Sequence, residues 1–109
     1  MSDLEQWPAN KVYEYMKDNP AKLLDVRTAD EYKEVHAQNT VHLALQSLNP
    51  STAENASLEK EEKIFVICRS GKRSADAIQK LKEMGYTDLI NVEGGTMAWQ
   101  AAGLPVSNS

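Results

Sequence analysis

The 109-residue sequence contains a single cysteine, Cys68, so no disulfide can close within it. It also has no C-x-x-C pair, which excludes a dithiol redox motif and a zinc ribbon. Its two histidines, His36 and His42, stand six positions apart, outside the close spacings of zinc motifs, and a satisfied structural role is expected of each. These spacings lead to no expected metal site. Long apolar runs are missing too: the longest covers only residues 64–68, against about 20 for a membrane-spanning helix. The opening Met1-Ser2-Asp3-Leu4-Glu5 has none of the basic-then-apolar pattern of a secretion signal. With a lone thiol, that leads to an expected cytoplasmic location. A surplus of positive charge is likewise absent: the net charge is −4, so neither nucleic acid nor a membrane surface is expected as a partner.

What is present is ordinary globular composition, 41% hydrophobic and 26% charged, at a length suited to one domain over residues 1–109. The charge is unevenly placed. Residues 68–74 carry Arg69, Lys72 and Arg73 and no acidic residue, whereas the remainder has 9 basic against 16 acidic residues. Most charged runs are simply solvated loops. A cationic loop beside a cysteine and a glycine, on an otherwise acidic chain, instead fits a small anionic ligand held at one place.

Hydrophobic periodicity gives an alternation of strands and helices. After a polar lead-in with Leu4 and Trp7 as packing anchors, Val12, Tyr15 and Met16 mark a helical face that begins near Pro8 and stops at Asn19-Pro20. Residues 22–27 read as a strand, and Thr28-Ala29-Asp30-Glu31 as a capping box opening a short helix over 29–35. A second strand is expected over 41–45, a surface connection over 46–57 and a short charged helix over 58–63. The sequon Asn55-Ala56-Ser57 has no functional weight without a secretion signal. The continuous apolar run 64–68 reads as a strand buried on both faces. Ala77, Ile78 and Leu81 then form the stripe of a helix closed by Gly85. A strand over 89–92, a Gly94-Gly95 turn and a helix over 96–102 complete the chain, with Gly103 and Pro105 preventing continuation. Such alternation implies an α/β fold with a mostly parallel sheet covered on both faces, and ligands beyond the carboxyl ends of its strands, where Cys68 stands.

At neutral pH only a few per cent of a free thiol is ionised. Backbone N–H groups at a helix start and neighbouring cations favour the thiolate. Arg69 and Arg73 offer bidentate donors to an oxyanion, and Gly71 lets successive N–H groups turn inward as an anion nest. Cys68 is therefore the expected nucleophile, with Arg69, Ser70, Gly71, Lys72, Arg73 and Ser74 as the expected substrate-binding loop. Gly71-Lys72-Arg73-Ser74 superficially resembles a nucleotide P-loop, but Val66 stands where that motif needs its first glycine.

Cys68-Arg69-Ser70-Gly71-Lys72-Arg73-Ser74 resembles the active-site loop of the rhodanese family of sulfurtransferases. So do Leu24-Asp25-Val26-Arg27 with Glu31-Tyr32, and Val92-Glu93-Gly94-Gly95 with Ala98-Trp99 and Gly103-Leu104-Pro105-Val106. The resemblance implies a three-layer sandwich with a central sheet of about five strands. It implies a Cys68 that takes the outer sulfur of thiosulfate or a persulfide donor and passes it to cyanide, a thiol or a protein acceptor. Asp25, Arg27 and Glu31 then become a polar network supporting the loop, and the resemblance implies no metal and no organic cofactor.

One stretch departs from the family pattern. Where the family commonly shows Gly-His-Ile-Pro-Gly-Ala, residues 35–41 share only His36. Two other readings use the same fold. One is a non-enzymatic interaction module, against which the intact cationic cysteine loop speaks. The other is a phosphatase or arsenate reductase, whose loop is one residue longer than the four residues between Cys68 and Arg73.

Overall fold

The computed structural model describes residues 4–108. Five strands form one parallel sheet: β1 (Gln6–Pro8), β2 (Lys22–Asp25), β4 (Thr40–His42), β5 (Lys63–Ile67) and β6 (Asp88–Glu93), in the order β1-β6-β5-β2-β4. β3 (His36–Ala37) and β7 (Val106–Ser107) make a separate antiparallel pair. The helices are α1 (Ala9–Asp18), α2 (Ala29–Glu34), α3 (Pro50–Asn55), α4 (Lys72–Glu83) and α5 (Gly95–Ala101). The expected α/β architecture, a five-stranded parallel sheet flanked by helices, is the one observed.

The three layers follow from the period of the strands. On β5 and its continuation, Ile64, Val66 and Cys68 face a core that includes Ala77, Ile78 and Leu81 of α4 and Ala53 of α3. Phe65 and Ile67 face the opposite core, with Ala9 and Val12 of α1 and Trp99 of α5. All five residues are buried, so both faces of this strand must be apolar, and each large aliphatic side chain contributes about 1.5–3 kcal/mol.

Several elements differ from expectation. The lead-in contains β1, three residues paired in register with Asn91, Val92 and Glu93 of β6. The second strand is shorter than 41–45, although Leu43 and Leu45 still donate to the carbonyls of Asp25 and Val26 at 2.9 and 3.0 Å. The connection over 46–57 contains α3, begun by a reciprocal Asn49–Thr52 capping box with Pro50 in the first turn. No helix forms over 58–63. There Glu62 folds back to accept the Glu59 N–H at 2.7 Å and pairs with Lys22 of β2 at 2.9 Å, so its charge serves a turn and a tertiary bridge.

Candidate active site

β5 delivers Cys68 to the carboxyl edge of the sheet's central strand, and the chain turns into α4 within four residues. Gly71 makes that turn at φ +108°, a left-handed conformation that suits glycine. Its N–H therefore points back and donates to Cys68 Sγ at 3.0 Å. Ser74, fully buried in the first turn of α4, sets its Oγ 3.4 Å from the same sulfur. Burial pushes the Cys68 thiol up. The Ser74 hydroxyl and the backbone N–H groups of Ser74, Gly71 and Ser70 outweigh it, and the net direction is down from the ordinary cysteine value.

The loop is also held from behind. The N–H groups of Thr96 and Met97 donate to the carbonyls of Cys68 and Arg69 at 2.8 and 3.2 Å. Gly95, at φ +58°, permits this approach: a Cβ there would stand 2.6 Å from the Arg69 carbonyl carbon and oxygen. The Gly94-Gly95 turn is thus a backing plate for the cysteine loop.

The predicted cations divide into two kinds. Arg69 and Lys72 are exposed and make no side-chain hydrogen bond or ion pair among the described residues. Arg73 instead commits both terminal nitrogens to Glu31, at 2.6 and 2.8 Å. The Arg73 hydrogen bonds, aided by the capping N–H and hydroxyl of Thr28, lower Glu31 to about 2. Glu31 in turn raises Arg73, chiefly through the same hydrogen bonds. Asp25 and Arg27 are both buried and form a multidentate pair at 2.9–3.1 Å, and Arg27 also donates to the carbonyl of Val35 at 2.7 Å. These two pairs tie α2 to the end of β2 and to the start of α4.

The histidines make structural contacts. Their rings stack on either side of Tyr32, and their nitrogens meet the Tyr32 carbonyl (His36) and the Arg27 carbonyl (His42) at 2.6 and 2.8 Å. Among the described residues no three His, Cys, Asp or Glu side chains gather as a metal site. No described helix is long and apolar enough to cross a membrane.

A polar cleft of about 290 Å³ adjoins the loop and is lined in part by Arg27, Glu31, Arg69 and Thr96. Thr96 Oγ1 is buried with no hydrogen-bond partner among the described residues. A more apolar cleft of about 200 Å³, lined by Tyr13, Met16 and Trp99 among others, includes no loop residue.

Asn91, backed by Gln6, enters the site from outside the predicted set. Asn91, buried on β6, contacts the Ser74 hydroxyl through its Oδ1 and donates to Gln6 of β1 at 2.9 Å. The signal for it in the sequence is a polar residue inside the apolar run Leu89-Ile90-Asn91-Val92.

The family model for the rhodanese-like domain matches residues 8–102, nearly the whole chain. The chain belongs to the rhodanese-like family. Thiosulfate sulfurtransferase GlpE of Vibrio cholerae is 33% identical over 100 residues, 92% of each protein. The putative sulfur carrier protein YrkF of Bacillus subtilis is 34% identical over 82 residues, 75% of this chain and 43% of that protein. The Synechocystis protein slr1261 is 37% identical over 99 residues, 89% of this chain and 53% of the relative. The chain thus spans about half the length of these last two. Among solved structures, a rhodanese-related protein of Thermoplasma volcanium superposes with a TM-score of 0.80 at 30% identity, covering 96% of this chain and 99% of the other. An Anabaena rhodanese-like domain superposes at 0.87 and 24% identity, covering 100% and 81%, a likeness of fold alone. Sulfurtransferases and sulfur carriers are therefore this rhodanese-like chain's relatives.

Proposed function

We propose that residues 1–109 act as one rhodanese-like sulfurtransferase domain, in which Cys68 carries sulfane sulfur from an anionic donor to a thiophilic acceptor. The observation that carries this reading is the Cys68 Sγ held at 3.0 Å from the Gly71 N–H, in a loop where Arg69 and Lys72 have no side-chain partner among the described residues. With thiosulfate, the thiolate attacks the outer sulfur, an S–S bond forms, and sulfite leaves with the electron pair of the broken bond. The persulfide's outer sulfur then carries the negative charge, and the loop N–H groups are its donors. A nucleophile, cyanide or a thiolate, takes that sulfur and returns the electron pair to Sγ. Arg69 and Lys72 draw the donor in, while Arg73 acts through Glu31 to fix the loop. Asp25 and Arg27 support it from below. No cofactor takes part.

Thiosulfate as donor, a thiol or protein as acceptor, and a cytoplasmic setting complete the proposal. Similarity to a sulfurtransferase and to a sulfur carrier supports the donor and acceptor classes. The phosphatase alternative relies on the arginine that closes the loop, here Arg73, and that guanidinium is already engaged by Glu31. Intact-mass measurement after incubation with thiosulfate should reveal one added sulfur, removable by cyanide. Cys68→Ser should remain folded, gain no sulfur and lose thiosulfate:cyanide transfer by at least a thousandfold, the scale of losing a covalent nucleophile. Retained transfer in that variant would overturn Cys68 as nucleophile. Absence of an adduct with thiosulfate, polysulfide or glutathione persulfide would instead favour an interaction module.

A further inference from the structure

The buried stretch of β6, Leu89 to Val92, is apolar with one exception. Leu89, Ile90 and Val92 are buried hydrophobics, whereas Asn91 places a full amide, 1% exposed, beneath the cysteine loop. A buried amide requires partners, and those of Asn91 are specific. Its Nδ2 donates to Gln6 Oε1 at 2.9 Å and reaches the Gly71 carbonyl at 3.5 Å. Its Oδ1 accepts from the Ser74 hydroxyl. The two residues Asn91 touches in the loop, Gly71 and Ser74, both set a group against Cys68 Sγ, at 3.0 and 3.4 Å.

Ser74 has one hydroxyl proton. Three acceptors surround its Oγ: Asn91 Oδ1, the Gly71 carbonyl at 3.1 Å and, once ionised, Cys68 Sγ at 3.4 Å. While Cys68 is a thiol, its S–H donates to Ser74 Oγ and the hydroxyl donates onward to Asn91. When the thiol proton leaves to solvent, the sulfur becomes the stronger acceptor, and satisfying it removes the hydroxyl from Asn91.

We infer that Asn91 is a positioning residue for the sulfur chemistry, competing with Cys68 Sγ for the Ser74 proton so that the hydroxyl turns to the sulfur only while Sγ is charged. The inference rests on Cys68 being the sulfur-carrying nucleophile. Formation of the persulfide moves the negative charge to the outer sulfur, leaving Sγ a neutral inner atom, and the hydroxyl returns to Asn91. Discharge to an acceptor returns the electron pair to Sγ, and the hydroxyl turns again. The competition keeps the empty thiolate from being over-stabilised. That matters because the intrinsic reactivity of a thiolate falls as its pKa falls, with a Brønsted coefficient of about 0.4–0.5.

The test follows the rate of Cys68 with a neutral dipyridyl disulfide across pH, in folded protein and without any sulfur donor. Asn91→Leu should lower the apparent thiol pKa and lower the high-pH plateau rate, by about threefold for each unit of pKa. Gln6→Ala, a change at an exposed residue that leaves the core intact, releases the Asn91 amide and should move both quantities in the same direction. In a Ser74→Ala background, Asn91→Leu should produce no further change, because the contested proton is gone. An unchanged or raised pKa in folded Asn91→Leu and Gln6→Ala would overturn the inference. So would an undiminished effect of Asn91→Leu without the Ser74 hydroxyl. None of these readings depends on sulfur transfer, so failure of the proposed activity would be seen separately in the mass experiment.

Discussion

Arg73 and Glu31, 42 positions apart, meet through two parallel hydrogen bonds of 2.6 and 2.8 Å. The arrangement joins the first turn of α4 to α2 and uses one of the loop's three cations for support. The side chains are 34% and 27% exposed, so solvent screens much of the attraction.

Glu31→Gln should therefore lower stability by about 1 kcal/mol at neutral pH, roughly 4 °C in the melting midpoint. Glu31 is lowered from an ordinary 4.5 to about 2, so the folded state favours the ionised form. A depressed carboxylate stabilises above its unfolded pKa and loses that contribution as pH falls. The difference between wild type and Glu31→Gln should be full above about pH 5 and shrink from pH 4.5 toward 2. Thermal melts of both proteins across this window would decide it; a difference that stays constant down to pH 2 would mean the ion pair contributes nothing.

Arg69 and Lys72 have no side-chain partner to lose among the described residues. Replacing both with glutamine should leave stability within about 0.5 kcal/mol. It should raise the KM for thiosulfate roughly tenfold at low ionic strength, since each cation acts on a divalent anion, and added salt should erase the difference. Steady-state assays at two salt concentrations would measure this. An unchanged KM at low salt would assign donor attraction to other groups.

Gly95 and Gly103 provide a matched comparison, since both have positive φ, +58° and +71°. Gly95→Ala would drive a methyl group into the carbonyl of Arg69, 2.6 Å away, and should cost about 2–4 kcal/mol together with much of the activity. At Gly103 nothing stands within 4 Å of an added Cβ, and the same substitution should cost about 1 kcal/mol through backbone strain alone. Urea unfolding separates the two cases. Equal losses would show that the close approach behind the loop is unimportant.

Much of this was legible because local and tertiary preferences agree. Ile64 to Ile67 are apolar on consecutive positions, a pattern that a strand buried on both faces uses fully. The Thr28–Glu31 capping box formed as its spacing requires. Other features were hidden because they arise only on assembly. β1 contains Pro8 and is three residues long, so its pairing with β6 leaves no periodic trace. The stretch 58–63 has helix-forming residues, but the fold spends Glu62 on Lys22 and on the Glu59 N–H. α3 lacked an apolar stripe, and its cap used Thr52 where glutamate is the usual cue. The roles of Arg73 and Asn91 depend on partners far away in sequence, Glu31 and Gln6, which periodicity does not connect.

The hydrogen bonds from Thr96 and Met97 to the carbonyls of Cys68 and Arg69 bear on how a cargo could leave. A loop clamped there is a fixed dock, not a swinging arm. Cys68, 1% exposed, does not travel outward to meet its acceptor. Under the proposed function the reach has to come from the other side: a small nucleophile can enter, whereas a protein acceptor must present its thiol on a protruding tail or loop. Shape at the acceptor's tip, more than its affinity for the surface around the cleft, would then choose who receives the sulfur.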